Sequence, residues 1–270
     1  MITIKGEHNF ANVMIDCIDE TTRAQILTFL NHPANADSYI AVMPDCHAGK
    51  GAVVGWSQLI GDVVVPNVVG VDIACGMLSV CIGDVEIDRV ELDKWALAHI
   101  PTGFARNPDP MKIRRLAEEN RRAVMARIST FMGRDPVSEK TCVHNFIGED
   151  GIVRKGATSA RDGEDVIIPF NMRDGIAVCR GKGSRKYNYS APHGAGRIMS
   201  RSKARQSIDT GDFIDVMKKA GVYTTTACES TVDEAPQAYK DMEVIKDNIK
   251  DTVDLLYVVR PVYNFKSGGD

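Results

Sequence analysis

The chain has 270 residues, 44% hydrophobic and 26% charged, with a net charge of −3. That length and mix belong to a globular chain with room for a sizeable core, and they exclude a fibrous or disordered one. The slight acidity excludes a global field that would draw the chain to nucleic acid, so any polyanion site must be local. Seven widely spaced cysteines without a C-x-x-C pair argue against a disulfide framework and for a reducing compartment. The opening MITIKGEHNF has no apolar run behind a basic start, and no stretch reaches membrane-spanning length. The expected location is the cytoplasm, with no membrane partner.

In chain order, residues 21–31 predict a short amphipathic helix with a threonine cap. SYIAVMP reads as a strand stopped by Pro44. The Val-, Ile- and Gly-rich run from Gly51 to Val85 predicts several short buried strands joined by tight turns. A helix opened by Asp88 spans 88–99, and residues 111–132 carry the clearest amphipathic pattern. Strands follow near 142–147, 152–154, 166–168 and 176–180. A helix after Gly196, another near 211–219 and a longer one from about Pro236 to Lys250 precede a closing strand, VDLLYVVRPVYNF. No repeat or composition break divides the chain, so one mixed α/β domain of the α+β class is expected over 1–270.

The charge is uneven. Residues 172–205 hold nine Lys or Arg against one acid, Asp174. The same stretch contains four interspersed glycines besides Gly175, which let backbone amides approach an anion, and Tyr187 and Tyr189, which can stack on bases. A phosphate or RNA-backbone site is favoured over a merely solvated basic face. Within it, SAPHGAGRIMSR sets His193 between a proline and two glycines. His193 is either a turn histidine bonded to its neighbours or a nucleophile able to attack phosphorus.

Three further groups are candidates. In VVGVDIACGM, Asp72 and Cys75 lie three apart in a turn, a thiolate–carboxylate pair suited to a borderline metal. His144 lies in an apolar run, where a lone histidine is more often a satisfied core residue than a ligand. Asp45 and His47 close a strand before a glycine-rich loop, and Asp45 is a candidate to orient His193.

Taken together, MPDCHAGKGAVVG, VPNVVGVDIACGM, CVHNFIGEDGIVRKGATSA, NMRDG, SAPHGAGRIMSR, DEAPQAYKD and RPVYNFK resemble the RtcB family of RNA-splicing ligases, in the family's order. The resemblance implies joining of an RNA 3′-phosphate or 2′,3′-cyclic phosphate to a 5′-hydroxyl with GTP and Mn²⁺. It implies His193 as the nucleophile that takes up GMP, Asp45 as its orienting acid and Arg197 as a catalytic partner. Gly194, Ala195 and Gly196 would lie along the GMP phosphate, and Tyr239 and Lys266 near the guanine. Asp72, Cys75 and His144 would be metal ligands. RNA ends and GTP are the expected partners of a monomer.

One departure bears on all of this. Family members carry a long stretch with GNHF and HSGSR motifs, each supplying a metal-ligand histidine, between the CGM segment and the AEENRR helix. Here IPTGFARNPDP runs straight into MKIRRLAEENRR, and no histidine lies between His99 and His144. The chain resembles a member with an internal deletion near 104–111. A silent RNA- or nucleotide-binding relative, and a partial-reaction guanylyltransferase or phosphoesterase, therefore stand beside the ligase reading.

Overall fold

The computed structural model describes residues 1–100 and 110–266; the junction at 104–111 lies largely outside them. The chain opens with strands β1 (Ile2–Lys5) and β2 (Phe10–Val13) and helix α1 (Glu20–Leu30). Strands β3 (Tyr39–His47), β4 (Val54–Leu59) and β5 (Gly76–Cys81) follow, then helices α2 (Arg89–His99) and α3 (Pro110–Met132). A run of strands comes next: β6 (Ser138–Val143), β7 (Asn145–Ile147), β8 (Ile152–Lys155), β9 (Ala157–Ser159), β10 (Asp165–Asn171), β11 (Gly175–Gly181) and β12 (Ser190–Pro192). Helices α4 (Arg201–Ser207), α5 (Thr210–Lys219) and α6 (Met242–Asn248) precede the last strand, β13 (Val253–Val259).

The strands form a six-stranded sheet, β1-β2-β3-β4-β8-β7, in which only β2 and β3 run parallel. Smaller antiparallel sheets pair β10-β11-β13, β12-β9 and β5-β6. Segregated helices around mixed sheets make this an α+β fold. Among the described residues, no helix is long and apolar enough to cross a membrane.

β3 is buried along nearly its whole length because both of its faces are covered. Ile40, Val42 and Cys46 pack in the cluster that holds Ile26, Phe29 and Leu30 of α1. Ala41 and Met43 pack on the other face, with Ala157 of β9 and Tyr187. Side chains alternate along a strand, so Asp45 falls on the face that looks towards β9 and β12.

Several local expectations are corrected. Asp19, not a threonine, caps α1, its carboxylate accepting from the Thr22 amide. β3 does not stop at Pro44. Its ladder with β4 shifts register between Val42 and His47, which places the proline where no ladder hydrogen bond is needed. The helix expected from Pro236 to Lys250 is a single 3-10 turn at Pro236–Ala238 followed by α6, because Tyr239 is extended and Asp241 caps anew. β13 ends at Val259, before Pro261.

Candidate active site

His193 follows β12 directly, and β12 lies against β9, so the imidazole is delivered to the face of β3 that carries Asp45. His193 Nδ1 is 2.6 Å from Asp45 Oδ2. Asp45 is fully buried, whereas the His193 side chain keeps 29% of its surface exposed. The other carboxylate oxygen, Oδ1, has no hydrogen-bond partner. A buried carboxylate with one partner holds the proton on Nδ1 firmly, and Nε2 is left on the far side of the ring. Burial opposes the imidazolium, but the Asp45 charge and hydrogen bond, helped by the Gly156 carbonyl, outweigh it, and the His193 pKa lies above 6.5.

The glycines of the HGAG segment serve this contact. A side chain at Gly196, where φ is +72°, would strike the Asp45 backbone, and one at Gly194 would lie 2.9 Å from the Pro169 carbonyl. The Ala195 amide donates to that same carbonyl. Sequence reasoning read the glycines as open backbone for a phosphate. In the structure their bare α-carbons let the loop press against β3 and β10. The irregular stretch of β3 is also pinned by Lys240, whose ammonium donates to the Pro44 and Cys46 carbonyls at 2.8 and 2.7 Å.

Two more imidazoles stand close by. His144 is buried, its ring 5.5 Å from that of His193, and burial together with the His193 and Arg121 charges pushes its pKa down to about 3. His47 Nδ1 donates to the Asp45 carbonyl, and burial pushes its pKa down to about 4. Both rings are neutral at physiological pH, and only His193 has a carboxylate.

Asp72 and Cys75 sit in the turn before β5. Ala74 takes a left-handed φ of 63° there, and the turn is stapled to the β6–β7 connection. The His144 amide donates to the Cys75 carbonyl, the Ala74 amide to the Asn145 carbonyl, and the Asn145 side chain to the Asp72 carbonyl. The same Asn145 accepts from the Gly156 amide, which links the turn to the His193 side. The side chains do not converge as the backbones do. Burial and then Asp72, which is hydrogen-bonded to it, push the Cys75 thiol up to about 12. His144 instead turns Nε2 to the Cys142 sulfur at 3.4 Å. Among the described residues, no group of three His, Cys, Asp or Glu side chains is placed to hold a metal ion. Asp72 and Cys75 lie in contact with each other, while His144 reaches Cys142 instead of either.

Arg197, Tyr239 and Lys266 do converge, on a residue that sequence reasoning missed. Glu234 accepts from Arg197 at 3.0 Å and from the Tyr239 hydroxyl at 2.5 Å, with the Lys266 ammonium at 3.3 Å and Arg201 also paired to it. The Arg197 guanidinium also lies over the Tyr239 ring, 4.8 Å from its centroid. Asp233 takes Arg201 at 2.7 Å and Arg205 at 3.3 Å. The only signal in the sequence was an Asp-Glu pair in front of Ala-Pro, and nothing there said that both acids would be buried. The linear basic patch is thus largely answered in space: Arg173, Arg180, Lys182, Lys186, Arg197, Arg201 and Arg205 all have carboxylate partners.

Comparison with known proteins places this arrangement. RNA-splicing ligase RtcB of Escherichia coli strain K12 is 35% identical over 133 residues, 47% of this chain and 32% of that protein. tRNA-splicing ligase RtcB of Aeropyrum pernix is 36% identical over 108 residues, 34% of this chain and 22% of that protein. The Methanococcus maripaludis protein of that name is 30% identical over 115 residues, 37% of this chain and 24% of its own length. The matched part spans about a third or less of each relative. The family described as tRNA-splicing ligase RtcB matches residues 25–145 and, separately, 114–267, which takes in both the Asp45–His193 pair and the Glu234 cluster, and the chain belongs to that family.

Proposed function

We propose that the chain works on RNA ends as a GTP-dependent ligase, joining a 3′-phosphate or 2′,3′-cyclic phosphate to a 5′-hydroxyl through GMP held on His193. The observation that carries this is the 2.6 Å contact between His193 Nδ1 and the buried, otherwise unpartnered Asp45 carboxylate. Asp45 keeps the proton on Nδ1, so the neutral ring carries its lone pair on Nε2. Nε2 attacks the α-phosphorus, the P–N bond forms as the bond to the bridging oxygen breaks, and pyrophosphate leaves. The ring then carries positive charge, which the fixed Asp45 carboxylate stabilises without reorganising. A 2′,3′-cyclic end is first opened by water to the 3′-phosphate; GMP then passes from Nε2 to that phosphate, and the 5′-hydroxyl displaces it.

The nucleotide is placed beside the Glu234 cluster, where Arg197, Arg201, Arg205 and Lys266 face two carboxylates, Asp233 and Glu234. Four cations against two acids leave a net positive site for phosphate oxygens. Mn²⁺ belongs to this reading through the family resemblance alone, and no step is assigned to it.

A second reading is supported by the lack of the GNHF and HSGSR motifs in the sequence: an RtcB relative that binds RNA or nucleotide, or completes only part of the reaction. GTP labelled on the α-phosphate, supplied with Mn²⁺, separates the two. The ligase reading requires label that survives denaturation, is absent from His193→Ala and is followed by sealing of RNA ends. RNA binding that persists in His193→Ala, with no label on the parent protein, would support the second reading. Loss of phosphate or opening of the cyclic phosphate without joining would identify the partial reaction.

A further inference from the structure

A second concave site lies at the other end of β3. It is a cleft of about 360 Å³ bounded by Tyr39, Leu59, Arg161, Arg185, Lys186 and Tyr189. Tyr189 of the cleft is only four residues before His193, so the cleft wall lies within about 14 Å of the reactive residue, backbone to backbone, at ~3.3–3.6 Å per residue. It shares no residue with the site around His193.

Three features set the cleft apart from ordinary surface. The first is charge. Asp150 is its one carboxylate, and two arginines already answer it: Arg161 at 2.8 Å and the buried Arg154 at 3.1 Å. Arg185 is exposed and meets no carboxylate among the described residues, while the nearest acid to Lys186 is the exposed Asp251 at 3.8 Å. The second is aromatic surface. The Arg161 guanidinium lies over the Tyr189 ring at 4.6 Å, a ready-made cation–aromatic wall, and the half-exposed Leu59 adds apolar surface.

The third is backbone strain. Asn188 and Tyr189 are consecutive non-glycine residues with φ of 52° and 50°. A left-handed tyrosine persists only where its surroundings dictate it, and such residues gather at ligand clamps. Here the dictating network is explicit. The Asn188 side chain donates to the Tyr39 and Ser57 carbonyls, and Arg154 donates to the Asn188 carbonyl and the Ser190 hydroxyl. A buried polar network thus holds a strained turn so that Tyr189 borders the cleft.

Guanidinium and ammonium groups in excess beside an aromatic wall match a phosphate attached to a flat base. We propose that this cleft binds a nucleotide, its phosphate held by Arg185 and Lys186 and its base against the Arg161–Tyr189 wall. The nucleotide can be a free mononucleotide or one unit of a single-stranded RNA whose end lies at His193. The binding chemistry stands by itself; the assignment to an RNA strand rests on the function proposed above.

The double variant Arg185→Gln/Lys186→Gln tests this, because both side chains are exposed and neither touches the His193 site. Fluorescence anisotropy with a short fluorescein-labelled oligouridylate reads the strand, and calorimetry with AMP reads the free nucleotide. If the ligand is the strand, the double variant binds oligouridylate about tenfold more weakly, and its log–log salt slope is smaller by about 0.7, the value for one lost phosphate contact. If the ligand is the free nucleotide, AMP binds the parent protein and not the variant. Unchanged oligouridylate and AMP binding in a variant that melts like the parent overturns the proposal, as does failure of the parent to bind either probe. A charge-reversing Arg185→Glu/Lys186→Glu pair repeats the test with a larger expected loss. Covalent labelling of His193 is measured alongside. Label without a cleft effect defeats this proposal only, and a cleft effect without label defeats the ligase reading only.

Discussion

At the scale of single residues, the Asp45–His193 contact controls both reactivity and pH response. Asp45→Asn keeps the shape but removes the charge that fixes the ring. Covalent labelling of His193 is expected to fall by about 10²–10⁴-fold, the range for a positioned proton-handling group. Labelling at parental rates would remove Asp45 from the chemistry. The nucleophile must be neutral, and its pKa is raised above 6.5, so labelling is expected to increase as pH rises through that elevated value. Stability runs the other way. A raised pKa contributes stability that is complete below 6.5 and is lost as pH climbs through the folded value. Glu234 is the mirror case. Burial would raise its pKa, but Lys266, the Tyr239 hydroxyl and two arginines outweigh it and hold the carboxyl below 4.5. Its contribution is present above 4.5 and disappears as pH falls through the lowered value. Glu234→Gln leaves the mostly buried Arg197 without its carboxylate, and a loss of about 3 kcal/mol is expected in neutral urea melts, shrinking in acid. An unchanged neutral melt would mean that Asp233 alone balances the cluster.

At the scale of elements, the segments that align the site are held from outside it. The 3-10 segment Glu229–Glu234 presents both acids, and it rests on α5: Val232 and Ala235 share a core cluster with Phe213 and Met217. Phe213→Ala is therefore expected to cost about 3–5 kcal/mol in denaturant melts and to loosen Arg197 with it. A loss below about 1 kcal/mol would show that the cluster collapses onto the cavity. Helix existence was legible because capping and periodicity are local: Asp88 accepts from the Val90 and Glu91 amides of α2, as its position suggested. The end of β3 was misread because a proline is harmless where the ladder is already interrupted, and only the β4 register shows that interruption.

At the scale of the whole molecule, two surfaces behave differently from their sequences. The basic stretch 172–205 is partly balanced by acids brought from Asp165, Asp233, Glu234, Asp251 and Asp254, so a count of charges along the chain overstated its field. β13, by contrast, borders its sheet with Leu255, Leu256, Tyr257 and Val259 all exposed. An apolar sheet edge is a template for association. Light scattering at rising protein concentration is expected to show association that Leu256→Lys reduces at unchanged melting temperature. Equal scattering from both proteins would assign any association to another face.

The sequence by itself determined the helices with local caps, the α+β class and the family, because each of these is written in neighbouring residues or in motifs preserved in order. It also nominated Asp45 for His193, although 148 positions separate them. Only the tertiary structure decided which charges meet. It set Glu234 among Arg197, Tyr239 and Lys266, gave His144 to Cys142 rather than to Asp72 and Cys75, and bent the turn at Tyr189 into a second cleft. Side-chain pairing falls off within a few ångströms, and ångströms across a fold are not encoded in distance along a chain.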